Sequence, residues 1–455
     1  SYGNIGSIHL ARCVSYASPE SFQRLTDELD KARIAYEKAL EICQKLPDTL
    51  RNQSDLAAHY VSVGTVYMAS GQDFKARYCY QKAKKTFEQH RQDNPRVMRH
   101  QASLAAVYGN IGNLHNMWRR YDEAIDAFAN AVKILKVLVN ENRTVFEYRS
   151  NLARIQVNLG QVYERTGRRE LALAAYQAAL DAWKGLPPGY FTAPGYRNSI
   201  PEIHGKMGTL QRRMARPALA IPHCRKTIEI LKILAEAHPD DLSYQLDLGK
   251  NHIFQAEMYR STRQIKEAQK EYAAAIEVLK RRLDAGPDNA GTSRQALADS
   301  QRDLGELAME AGRTKEARGL FDAALENMKK VVEGHRNVPV FQHKLALSYN
   351  MSARIYASAD QPDKVAEMLR KELVIREWLV KYHPKVTLYR TKLGVLYCDL
   401  GAIDSNKSLP KDALVWYTKA IDLLKDGRTG GSDRLILQAA YTRRADSCEA
   451  LGKDE

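Results

Sequence analysis

The chain has 455 residues, 44% of them hydrophobic, with 69 Lys and Arg against 54 Asp and Glu, a formal net charge of +15. No apolar run approaches the ~18 residues that a membrane-spanning helix needs, so no membrane contact is expected, and no signal peptide is visible in the sequence as given. Six cysteines, Cys13, Cys43, Cys79, Cys224, Cys398 and Cys448, form no CxxC pair and no metal-ligand spacing, so a reduced, cytoplasmic setting is expected.

In chain order, small residues recur after Gly6 at Gly64, Gly112, Gly160, Gly208, Ala256, Gly305, Ala353 and Gly401, 48 residues apart except for one interval of 49. A fixed period of this size marks stacked repeats, none of which can bury its apolar face alone. Twelve residues after each small residue stand Ala76, Ala124, Ala172, Ala220, Ala268, Ala317, Val365 and Ala413. A large residue follows four later in most copies, as Tyr80, Phe128, Tyr176, Tyr272, Phe321, Leu369 and Tyr417. Leu or Ile always precedes the first small residue by eight, from Leu56 and Leu104 to Leu345 and Leu393. Steps of three and four put these positions on one face of each helix, and predict paired helices of roughly 20 residues, about 30 Å long.

The spacing divides the chain into a partial first repeat with an insertion (1–47), eight repeats of about 48 residues (48–433) and a C-terminal capping helix (434–455). Within 1–47 the hairpin is longer than the others by 14 residues, which reads as a lengthened connection with an extra helical turn rather than a partner-binding insert. The short lead before Gly6 favours an upstream domain over a flexible segment lost in processing. In Lys184–Pro201, rich in Pro and Gly, Pro201 is expected in the first turn of a helix that starts late. Gly427–Ser432 is a loop that lacks the ending of a phosphate-binding loop. In the cap, Leu437, Tyr441, Ala445 and Cys448 take first-helix slots.

The pattern of Leu, Gly and Tyr followed by Ala, Tyr or Phe, and Ala resembles the tetratricopeptide repeat, whose usual period is about 34 residues. The wording of Leu152–Trp183, LARIQVNLGQVYERTGRRELALAAYQAALDAW, is similar to long-period bacterial arrays often attached to serine/threonine kinases. The resemblance implies a single all-α, right-handed α-solenoid of stacked antiparallel helix pairs over 1–455. No kinase motif, HExxH, GxSxG or paired Cys/His set is present, so neither catalysis, a metal nor a cofactor is expected. His9, His115, His204 and His252 occupy aromatic slots and read as packing residues.

The resemblance also implies where a partner would bind, since the first helix of each hairpin lines a concave groove in that family. Transferred slot by slot, the groove positions are Asn110, Asn113 and Asn116, then Arg154, Asn158, Gln161 and Arg165. The next two copies supply Lys206, Arg212 and Arg213, then Lys250 and Arg260. The following repeat reverses sign with Asp299, Asp303, Glu306 and Glu310 beside Arg302. Asn offers a donor and an acceptor to a bound backbone, and Arg holds a carboxylate by two parallel hydrogen bonds. The lysine of the family's carboxylate clamp is replaced by Val61, Gly109, Val157 or Gly205, which argues against that specific use.

These features predict a non-catalytic scaffold that takes an extended or helical, acidic protein segment. Its alternatives are the docking arm of a larger signalling enzyme, a nucleic-acid binder and a self-assembling array. Glu164, Glu202 and Glu257 in the groove slots, and the lack of a stacking platform beyond Phe254, weigh against nucleic acid.

Overall fold

The computed structural model describes residues 19–47, 49–142, 144–184, 194–286, 290–425 and 431–452. Among these residues the chain forms eighteen α-helices and no strand. Helix α1 (Pro19–Gln44) precedes eight antiparallel hairpins. The first four are α2 (Leu50–Ala69) with α3 (Asp73–Asp93), α4 (Met98–Met117) with α5 (Tyr121–Glu141), α6 (Phe146–Arg165) with α7 (Arg169–Trp183), and α8 (Pro194–Arg213) with α9 (Pro217–Ala237). The next four are α10 (Leu242–Ser261) with α11 (Ile265–Ala285), α12 (Ala290–Glu310) with α13 (Thr314–Gly334), α14 (Pro339–Ser358) with α15 (Pro362–Tyr382), and α16 (Thr387–Asn406) with α17 (Pro410–Leu424). Helix α18 (Gly431–Glu449) packs on α16 and α17. By their internal contacts Ser1–Ile230 and Leu231–Glu455 form two compact units, each an all-α stack of such hairpins.

Each hairpin closes through one residue in the left-handed region: Gly71, Arg119, Gly167, Ala215, Arg263, Gly312, Asp360 and Ser408. The amides around it fold back onto the first helix, as where Gly71 N donates to Met68 O (3.2 Å) and Gln72 N to Tyr67 O (2.8 Å). Five of the eight carry a side chain there, at a cost of roughly 1 kcal/mol each. The tertiary stack outweighs that local penalty.

The small-residue slot works by close approach. A Cβ on Gly64, Gly112, Gly305 or Gly401 would lie 2.6–2.7 Å from the ring of Tyr80, Phe128, Phe321 or Tyr417, sixteen residues on in the same hairpin. Those rings are at most 1% exposed, so the absent side chain lets the second helix settle over the first.

Second helices α7 and α17 run only 15 residues where the other second helices of the hairpins run 21. Each short helix ends on an arginine from its own first helix. Arg149 Nη1 donates to Ala182 O (2.8 Å) and Lys184 O (2.5 Å), and Arg390 Nη2 to Leu423 O (2.7 Å). A cation at a helix C-terminus satisfies stranded carbonyls and complements the macrodipole.

Two expectations need correction. Pro201 lies well inside α8, which begins at Pro194 and so starts level with its counterparts at 146 and 242. Contacts with α6 and α7 of the preceding hairpin offset the local cost of a helix-interior proline. Nor does SFQRLTDELD, among the 14 extra residues expected as a lengthened connection within 1–47, join two helices: it lies in the first part of the continuous 26-residue helix α1. Gly6, His9, Cys13 and residues 427–430 of the expected loop lie outside the described residues, while Gly431 and Ser432, expected in that loop, open α18. In α18, Leu437 and Cys448 pack inward, whereas Tyr441 and Ala445 are exposed.

Candidate functional site

The first helices α4, α6 and α8 of unit 1 set the groove positions side by side, and their side chains join across neighbouring repeats. Asn158 Nδ2 donates to Asn113 Oδ1 (2.9 Å), and Arg165 Nη1 to Asn116 Oδ1 (2.9 Å). Arg213 Nη1 donates to Glu164 Oε2 (2.9 Å), while Tyr176 Oη donates to Glu164 Oε1 (2.5 Å) from beneath. Burial and the Glu164 carboxylate both push the Tyr176 hydroxyl up, so it stays a donor. Lys206 pairs with Glu202 (3.3 Å) within α8.

Four of the expected site residues, Gln161, Arg165, Lys206 and Arg213, line one open pocket of about 340 Å³ together with Glu164. Asn113, Asn116 and Asn158 form the polar ladder described above, and Asn110 is half-buried in the same helix face as Asn113. Arg154 is exposed by its own surface and donates weakly to Asn151 Oδ1 (3.4 Å), yet the surrounding protein desolvates it and lowers its pKa. Arg212 is exposed at the end of α8 and does not line the pocket.

Lys250 and Arg260 belong to unit 2, where the wall is of mixed sign. Arg260 is committed to Glu306 (3.0 Å) and Glu310 (3.3 Å), and Lys250 lies exposed near Asp247. Arg302 bridges Asp299 and Asp303 (2.8 Å each), with Lys344 also on Asp299. Sequence reading named the basic positions but missed that acids on an adjacent repeat pair with two of them, Arg213 and Arg260. The signal lies in the separations: Arg213 and Glu164 are 49 apart, Arg260 and Glu306 46 apart, close to one period.

Asp399, two before Gly401, occupies the slot held by Asn110, Asn158 and Lys206 in unit 1. Burial, and then the nearby Glu372 charge, push its carboxyl up from 3.8 to about 6, against an opposing pull from Arg443. The folded state therefore binds more protons than the unfolded chain between those values, and this residue's contribution to stability falls as pH rises through the window. Asp399→Asn is expected to raise the unfolding temperature at neutral pH, with the advantage over wild type shrinking as pH falls to about 4. Thermal unfolding across the window checks it; an advantage independent of pH, or none, contradicts it.

Of the expected packing histidines, His252 is buried and its Nδ1 lies 2.6 Å from Glu271 Oε2, while His204 Nδ1 lies 3.0 Å from His223 Nδ1. Burial first, and then the neighbouring ring, lower the His204 pKa to about 4, so the two imidazoles stay neutral at pH 7. Among the described residues no group of three or more His, Cys, Asp and Glu could hold a metal ion.

Residues 103–185, which cover α5, α6, α7 and most of α4, match the family model for the tetratricopeptide repeat. No curated protein matches the chain. Similar solved structures include BtubC from P. vanneervenii, 18% identical over 57% of this chain and 94% of its own, TM-score 0.43. The apo form of RapI is 12% identical over 88% of this chain and 99% of its own, TM-score 0.42. YrrB, described as a repeat protein of the same kind with an unusual peptide-binding site, is 16% identical over 55% of this chain and 98% of its own, TM-score 0.32.

Proposed function

The chain is a tetratricopeptide-repeat protein, and on that footing we propose that it is a non-catalytic scaffold whose unit 1 groove binds an extended or helical, acidic segment of another protein. The observation that carries this reading is the pocket in which Arg165, Lys206 and Arg213 converge with Gln161 around a single carboxylate, Glu164. Charge distribution supports it: residues 1–230 hold 33 Lys and Arg against 21 Asp and Glu, whereas 231–455 hold 36 against 33. The Asn113–Asn158 pair supplies amide donors and acceptors that a bound backbone can share. Buried thiols at Cys79, Cys398 and Cys448 support a cytoplasmic setting.

The reading predicts that Arg165→Glu with Arg213→Glu weakens binding of a fluorescent acidic peptide by about a hundredfold, since each charge-assisted contact contributes about 1.5–3 kcal/mol. Affinity should also fall as salt screens exposed charges over about 8 Å. Circular dichroism of the double variant guards against loss of fold. Intact binding after the reversal sinks the proposal. Preferential capture of duplex DNA, with a log–log salt slope of about 0.9 per phosphate, would favour nucleic acid instead.

A further inference from the structure

Along one edge of unit 1, the turns joining first to second helices are tied to one another from repeat to repeat. Trp118 Nε1 donates to Asp73 Oδ2 (2.8 Å), Arg168 Nη2 to Asp122 Oδ1 (3.0 Å) and Arg216 Nη1 to Glu170 Oε1 (2.8 Å). Each acceptor stands in the first turn of a second helix, where a carboxylate complements the macrodipole. Turns around 71, 119, 167 and 215 therefore form one continuous edge, and two of its acids, Asp122 and Glu170, are ion-paired from within.

Beside the exposed acids Asp122, Glu123 and Glu170, two kinds of side chain stand on its outer side. Large apolar groups recur in each of the four turns: Phe74 is 83% exposed, Met117 53%, Leu171 50% and Leu219 52%. Phe74 also meets the Trp118 ring at 6.0 Å between centroids. Exposed cations alternate with them, Lys75, Arg77, Arg119, Arg120 and Arg169, with Arg120 lying over the Trp118 ring. Single exposed apolar residues are ordinary on any surface. Their recurrence on one edge, between arginines, gives a line of shallow apolar tips with flanking positive charge.

We propose that this edge of unit 1 docks peripherally on a bilayer surface rich in anionic phospholipid. The tips enter the interfacial region while Arg and Lys meet the headgroup phosphates, the division of labour that interfacial anchors use. Leu and Met distinguish this surface from a nucleic-acid platform, because aliphatic side chains partition into an acyl boundary and stack poorly on bases. No described helix is long and apolar enough to cross a membrane, so the contact is peripheral. The expectation of no membrane contact rested on the lack of a spanning run and does not bear on an edge. This inference is independent of the groove reading, which uses a different surface.

The test is co-sedimentation of the whole chain with vesicles of phosphatidylcholine alone or of phosphatidylcholine and phosphatidylglycerol in equal parts. Wild type should sediment with the anionic vesicles and stay in solution with the neutral ones. Phe74→Ser with Leu171→Ser, and separately Arg119→Asn with Arg169→Gln, should each lower partitioning by about tenfold or more. These four positions lie outside the ladder of Asp73, Asp122 and Glu170, and asparagine tolerates the left-handed backbone of Arg119 (φ 59°). Equal sedimentation with neutral vesicles, or none with either, overturns the proposal. So does a loss confined to the arginine variant, which would point to a polyanion, checked with single-stranded RNA as competitor.

Discussion

Arg376→Met is expected to cost about 3–5 kcal/mol of folding stability, because it strands a carboxylate inside unit 2. Glu372 and Arg376 are 1% and 2% exposed on α15. Arg376 Nε donates to Glu372 Oε1 (2.5 Å), and Asn350 Nδ2 donates to Glu372 Oε2 (3.0 Å). Burial already pushes the Glu372 carboxyl above its ordinary range, and the Arg376 charge is the first force opposing that rise. Without the cation, the carboxyl keeps only one amide donor and either stays charged at high cost or takes up a proton. The penalty should therefore be largest at neutral pH and shrink in acid, where the protonated form no longer needs a counter-charge. Replacing both partners, Glu372→Met with Arg376→Met, should be near neutral or stabilising, since desolvating two ions roughly cancels their attraction. Urea unfolding of the two single variants and the double variant closes the cycle. A single-variant loss below about 1 kcal/mol would mean that water reaches the pair.

Gly160→Leu is expected to lower stability by about 1–3 kcal/mol even though leucine is the better helix former. A Cβ at Gly160 would sit 2.5 Å from Cε1 and 2.8 Å from Cδ1 of Tyr176, a fully buried ring anchored by its hydroxyl to Glu164. The ring cannot step aside without breaking that hydrogen bond or separating α6 from α7. Gly205→Ala is the matched control, because nothing lies within 4 Å of a Cβ there. That substitution should gain roughly 0.5–1 kcal/mol from helix propensity alone. Thermal unfolding of the pair separates the two effects; equal shifts in both variants would show that the close approach at Gly160 has no energetic weight.

Much of this architecture was legible in the sequence, and the reason is the range of the interactions that encode it. Gly160 and Tyr176 are sixteen residues apart in one hairpin, so a turn of fixed length brings them together, as it does Gly64 with Tyr80 and Gly401 with Tyr417. Helix length, face and pairing follow from apolar spacing for the same reason. Gln161, Arg165, Lys206 and Arg213, each named from its own helix, line one pocket.

What only the tertiary structure decided involves contacts about a period apart, or buried environments. Arg213 and Arg260 looked like available cations until Glu164, Glu306 and Glu310 of adjacent repeats were seen to hold them. Glu372 and Arg376 stand four apart on one helix, a spacing that surface ion pairs share, and burial makes these two an internal ion pair. Pro201 predicts a helix start by its own chemistry, but α8 begins at Pro194 and packs on α6 and α7 of the preceding hairpin. A sequence period fixes which residues face the next repeat. The free energy of a charge or a proline in that interface depends on water exclusion and on partners there, which a single repeat does not specify.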